Sequence, residues 1–131
     1  MHPPVRIRWS LLVADDDPLL REGMAEVLER EGYRIFLADG GLRAVEIART
    51  ERIHCSVLDV NMPDLSGIEA LRRLAEFLGR MPSILVSGEA SEQVVREALS
   101  VGAFTFLRKP VPPETLRTSV ARALEAYGFR P

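Results

Sequence analysis

Five short apolar runs, each followed by a longer amphipathic stretch, limit the folds open to this chain more than any other feature. The runs are WSLLVA (9–14), YRIFLA (33–38), CSVL (55–58), SILV (83–86) and FTFL (104–107). They do not alternate polar with apolar residues, so they read as strands covered on both faces. The stretches between them have helical periodicity. Residues 18–31 place Leu20, Met24, Val27 and Leu28 on one stripe, and residues 41–52 carry Leu42, Val45 and Ala48. Ile68, Leu71, Leu74, Ala75 and Leu78 follow a capping Ser66; Val94, Val95, Ala98 and Leu99 follow a capping Ser91. Leu116, Val120, Leu124 and Tyr127 make the last stripe. Asp17 suits an N-cap with Pro18 at the first helical position, and Gly32 and Gly102 suit helix stops. Short strands joined through helices imply a parallel sheet with helices on both faces. The fold class is therefore α/β, a doubly wound (βα)5 unit.

A chain of 131 residues suits one domain, predicted over residues 8–127, with 1–7 and 128–131 as loose ends or linker remnants. The net charge of −2 offers no basic face for nucleic acid. No apolar stretch reaches bilayer length, and the opening MHPPVRIRWS lacks a signal-peptide pattern. A lone cysteine, Cys55, excludes an internal disulfide and suits a reducing compartment. The expectation is a cytoplasmic domain with neither membrane nor direct nucleic-acid contact.

The chemistry-bearing residues gather at the carboxyl ends of the predicted strands, where open α/β sheets bind ligands. Asp15 and Asp16 follow the first strand, Asp59 ends the third, Ser87 ends the fourth and Lys109 follows the fifth. The first and third strands are neighbours in a doubly wound sheet, so three carboxylates would meet. A hard divalent cation such as Mg2+ offsets that repulsion and prefers oxygen ligands. Asp15 and Asp16 then face the cation, while Asp17 turns away to cap a helix.

LLVADDDP, VLDVNMPDLSG, ILVSG and FLRKP, in this order, resemble the receiver domain of bacterial two-component response regulators, the CheY-like family. The resemblance spans roughly residues 8–127 and implies a flavodoxin-like sheet of order 2-1-3-4-5. It implies that Asp59 is the phosphoacceptor, and that Asp16, Asp59 and the backbone carbonyl of Asn61 bind Mg2+ (or Mn2+), with Asp15 acting through water. Ser87 takes the place of the hydroxyl that meets the phosphoryl group, and Lys109 that of the active-site lysine. The peptide bond between Lys109 and Pro110 is expected to be cis. Phe106 takes the switch aromatic's position. Asn61 and Glu89 take the positions that tune hydrolysis. The implied partners are a histidine kinase or histidine phosphotransfer protein, and an output domain, target protein or second receiver. The last would meet the face built by the fourth helix, fifth strand and fifth helix. Such a domain takes part in its own phosphorylation and is not a turnover enzyme.

Other readings of the same residues are weaker. Asp15 and Asp17 superficially fit the D-x-D of haloacid-dehalogenase phosphatases, but the chain is short for that fold and Pro18 replaces a small turn residue. A receiver-like interaction module that is never phosphorylated would not need the full acidic set. An FMN binder would not place an acidic loop against a phosphate. His54 reads as solvated or capping, Cys55 as inert core and Arg108 as solvated. Trp9 opens the first strand, six residues and so roughly 20 Å from Asp15.

Overall fold

A computed structural model describes residues 8–130. The elements alternate without exception: β1 (Ser10–Ala14), α1 (Pro18–Glu29), β2 (Arg34–Ala38), α2 (Gly41–Thr50), β3 (Cys55–Asp59), α3 (Gly67–Leu78), β4 (Ser83–Ser87), α4 (Glu92–Ser100), β5 (Thr105–Arg108) and α5 (Pro113–Ala126). The strands pair in parallel in the order β2-β1-β3-β4-β5. Successive side chains point to opposite faces of a strand, so the sheet feeds two cores. Leu12, Leu58 and Leu85 pack with Val45, Leu71, Leu74 and Ala98 from α2, α3 and α4. Leu11, Val13, Val57, Ile84 and Val86 pack with Leu28, Leu116, Val120 and Leu124 from α1 and α5. Among the described residues no helix is long and apolar enough to cross a membrane.

Only the three central strands are buried on both faces. The edge strands β2 and β5 are half-exposed, with Leu37 open to solvent. An edge strand has one neighbour and less helix above it, which an apolar run does not disclose. Leu20, Leu42 and Leu99 also depart from their predicted stripes and are exposed, as is Ala75.

His54 is not solvated; it caps the start of β1 from a buried position. It is buried, its Nδ1 accepts the Ser10 N–H at 3.0 Å, and its ring lies edge-on to Trp9 and Phe129. Burial, then the nearby Arg52, pushes its pKa below the ordinary value. Residues 1–7, expected to be loose, lie outside the described residues, while the residues after α5 make contacts with the start of β1. Phe129 stacks on Trp9 at 5.2 Å, and the Trp9 indole N–H donates to the Arg130 carbonyl at 2.9 Å. Cys55 is core, its thiol pushed up to about 12 by burial.

The start of α3 is pressed against the end of β3. The Gly67 N–H donates to the Val60 carbonyl at 3.0 Å, and a Cβ on Gly67 would collide with the Asp59 carbonyl oxygen. Gly67→Ala is expected to destabilise the protein by about 2 kcal/mol, since backbone must shift to admit the methyl. Urea denaturation checks this, and a wild-type midpoint would mean that the helix start yields freely.

Candidate functional site

Strand register assembles the site. Ala14 pairs with Leu58, so Asp15 and Asp59 come next in adjacent strands. Asp59 pairs with Val86 and Ser87 with Arg108, which brings Ser87 and then Lys109 into the same row. Two backbone bonds continue the ladder past the strand ends, Val60 N–H to Val86 at 2.8 Å and Lys109 N–H to Ser87 at 2.9 Å. The Lys109–Pro110 peptide is cis.

The charges meet there. Lys109 Nζ lies 2.9 Å from Asp15 Oδ2 and 3.2 Å from Asp59 Oδ2. Carboxylate oxygens of Asp15, Asp16 and Asp59 all lie within 4.8 Å of one another. Asp15 and Asp59 are buried, whereas Asp16 is exposed at the mouth. Burial, followed by repulsion from Asp15, raises the Asp59 carboxyl from 3.8 to about 6, even though Lys109 and the Asn61 N–H work against the rise. Burial also works against the Lys109 ammonium, but the two carboxylates beside it hold its pKa above the ordinary value.

Asp17 turns out of this cluster. Its Oδ1 accepts the Leu19 and Leu20 N–H groups and caps α1. Asp15 Oδ1 accepts the Asp17 N–H at 2.9 Å, while its buried Oδ2 faces the Lys109 ammonium. Ser87 Oγ accepts from Asn61 Nδ2 at 3.1 Å and from the Glu89 N–H at 3.0 Å. The Asn61 N–H reaches Asp59 Oδ1 at 3.2 Å. Phe106 is half-buried against the core on the α4 side of the sheet, and the Glu89 side chain is exposed. Arg108, at the end of β5, is exposed.

Three carboxylates against one ammonium leave an excess of two negative charges in an all-oxygen cluster. That excess, with carboxylate oxygens as the donors, fits a hard divalent cation. Two participants have no sequence signal of their own. The Arg21 guanidinium donates to the Asp15 carbonyl at 2.8 Å, from a position on α1 that sequence spacing does not single out. Asp64 reaches across to α2, and only its place in the NMPDLSG turn could have drawn notice.

Comparison with known proteins agrees with this geometry. The family model for the response regulator receiver domain matches residues 11–121. The C4-dicarboxylate transport transcriptional regulatory protein DctD of Pseudomonas aeruginosa is 33% identical over 122 residues, 93% of this chain and 26% of its own length. Sporulation initiation phosphotransferase F of Bacillus subtilis is 31% identical over 88% of this chain and 93% of its own. This chain spans between 26% and 54% of the first three curated relatives it matches. A CheY-like receiver domain protein from Methanospirillum hungatei superposes with a TM-score of 0.89 at 26% identity, covering 92% of this chain and 97% of that one. The chain matched in the CheX-CheY-BeF3-Mg2+ complex of Borrelia burgdorferi gives 0.83 at 28% identity, with 87% of each chain covered.

Proposed function

Because the chain belongs to the response regulator receiver domain family, we propose that it is a signalling switch that takes a phosphoryl group onto Asp59 from a histidine kinase or histidine phosphotransfer protein. One observation carries the reading. Lys109 Nζ spans Asp15 and Asp59 at the ends of β1 and β3, with Ser87 next in the same row.

Each residue then has a task. A carboxylate held at about 6 is mostly ionised at neutral pH and more basic than an ordinary aspartate, which favours attack on phosphorus. An Asp59 oxygen forms the new O–P bond as the donor's P–N bond breaks, and that electron pair leaves with the imidazole nitrogen. Lys109 balances charge on the transferring group, and Ser87 Oγ is placed to donate to one of its oxygens. A divalent cation held by Asp16, Asp59 and the Asn61 backbone carbonyl, with Asp15 through water, would neutralise the phosphoryl oxygens when bound. The likeness to a chain from a complex with BeF3 and Mg2+ supports that assignment. The acyl phosphate product is labile, and Asn61 and Glu89 flank the water path that sets its lifetime.

Ser87 gives up its Asn61 and Glu89 donors when it turns to the phosphoryl group, and Phe106 turns inward behind it. This biases a two-state equilibrium of the α4-β5-α5 face, which meets an output domain, a target protein or a second receiver. The donor meets the mouth of the site, where Leu19 is 80% exposed beside a groove of about 250 Å3 lined by Leu20, Met24, Pro110 and Leu116.

Incubation with acetyl phosphate and Mg2+ is expected to add one alkali-labile phosphoryl group per chain, and a chelator to prevent it. Continuous hydrolysis of a phosphomonoester would favour the phosphatase reading instead. Trp9 emission is expected to stay nearly constant on adding Mg2+ or beryllofluoride, because the indole packs with His54 and Phe129 just before β1, at the end of the strands opposite the acidic site. A saturable quench that tracks calorimetric binding would show that the change reaches the opposite end of the strands.

A further inference from the structure

We propose that Asp64 is a positioning residue for the acidic site: by clamping the β3–α3 loop onto the start of α2, it holds Asn61 between Asp59 and Ser87. The proposal rests on the reading of Asp59 as phosphoacceptor. Helices α1, α3 and α4 are capped by their own N-cap side chains, Asp17, Ser66 and Ser91. The N-cap of α2 is Gly40, which has no side chain to offer. Its cap comes from Asp64 instead. Asp64 Oδ1 accepts the Gly41 N–H at 3.0 Å and Oδ2 the Leu42 N–H at 3.1 Å. Oδ1 also accepts the Leu65 N–H at 2.8 Å, which orients the carboxylate from its own loop. Both oxygens of an ionised side chain thus meet the positive end of a helix.

The glycine pair Gly40–Gly41 supports the same conclusion independently. A Cβ on Gly40 would lie 2.7 Å from Asp64 Oδ2, and one on Gly41 would collide with the Leu65 carbonyl oxygen. Neither glycine has a positive φ, so neither is required by backbone conformation. Both are explained by the approach of the loop. Three residues before Asp64, the same loop carries Asn61, bonded to Asp59 Oδ1 through its N–H and to Ser87 through its side chain. Pro63 lies between them and fixes φ, so the link is short and stiff. Freed from α2, the loop would let Asn61 drift from both partners.

The test compares Mg2+ affinity by calorimetry with the Mg2+ dependence of phosphoryl incorporation, and measures metal-free melting in parallel. Asp64→Ala is expected to weaken Mg2+ binding about tenfold, a loss typical of a residue that orients a ligand. Incorporation should slow at low Mg2+ and largely recover at saturation. Gly40→Ala, which keeps Asp64 in the chain but forces its carboxylate off the start of α2, should shift Mg2+ affinity the same way. Asp64→Asn keeps one acceptor and should shift it less. Glu46→Gly weakens α2 at an exposed position away from the clamp and should leave Mg2+ affinity unchanged. The proposal is overturned if Asp64→Ala and Gly40→Ala, folded at the assay temperature, bind Mg2+ within about twofold of wild type. It is equally overturned if Glu46→Gly weakens binding as much as they do. Should Asp64→Ala not fold, Gly40→Ala and Asp64→Asn decide. If wild type takes no phosphoryl group yet the affinities shift as described, the reading of Asp59 fails and the clamp stands.

Discussion

Asp59→Asn protein is expected to gain no phosphoryl group under conditions in which wild type gains one, and to be the more stable of the two without metal at neutral pH. The first effect follows from losing the nucleophile, because an amide oxygen cannot form the acyl phosphate. The second follows from the cost of ionising Asp59 beside Asp15. Its folded pKa of about 6 stands above the unfolded 3.8. A raised acid favours folding while protonated, so its contribution is fully present below the unfolded pKa. That contribution is lost as pH rises through the folded value. The asparagine variant has no such slope. Its advantage over wild type should grow between about pH 4 and pH 6 and then level off, at about 1–2 kcal/mol once solvent screening is allowed for. Saturating Mg2+ should close or reverse the gap, because it binds wild type better. Intact mass and chelator-treated melts at several pH values measure both effects. The same adduct on the variant would move the acceptor elsewhere, and an advantage that shrinks with pH would mean that Lys109 more than compensates Asp15.

The architecture was legible because three separate signals agreed. Unbroken apolar runs marked β1, β3 and β4, which are the strands buried on both faces. Side chains suited to capping marked the starts of α1, α3 and α4. Acidic and basic residues marked the strand ends where register later brought them together. What stayed hidden depends on contacts distant in sequence. Leu42 and Leu99 fit helical stripes, but periodicity cannot say how far a stripe extends under its neighbours, and both are exposed. His54 looked like a polar residue at a strand start. Its burial depends on Trp9 and Phe129, 45 residues before it and 75 after it in the chain. Asp64 looked like turn chemistry, and nothing local relates it to Gly41. The acidic cluster itself was the easier inference, because carboxylates brought together at buried strand ends need a counter-charge.

Lys109→Met is expected to cost the metal-free protein about 2–4 kcal/mol near neutral pH, a loss on the scale of a core truncation although no apolar side chain is touched. The Lys109 side chain is 19% exposed, and its ammonium sits 2.9 and 3.2 Å from side chains that are 0% and 4% exposed. Methionine preserves most of the stem's packing, so the loss isolates the charge. Asp15 and Asp59 would then face each other with no cation between them. One of them can escape by binding a proton, which raises the Asp59 pKa further above its value of about 6. The destabilisation must therefore be smaller at about pH 5 than at about pH 8. Mg2+ offers the other escape. The variant should bind it more tightly than wild type, having lost a competing positive charge, and should recover most of its stability when saturated. Combining Lys109→Met with Asp59→Asn removes one of the two stranded carboxylates, so the double variant should lose much less than the sum of the single effects predicts. Urea denaturation of the four proteins, at both pH values and with and without Mg2+, provides the cycle. A loss independent of pH, unrelieved by Mg2+ and additive with Asp59→Asn would refute the electrostatic account. It would leave Lys109 important to the fold through its hydrocarbon stem, which lines the groove beside Leu20 and Met24.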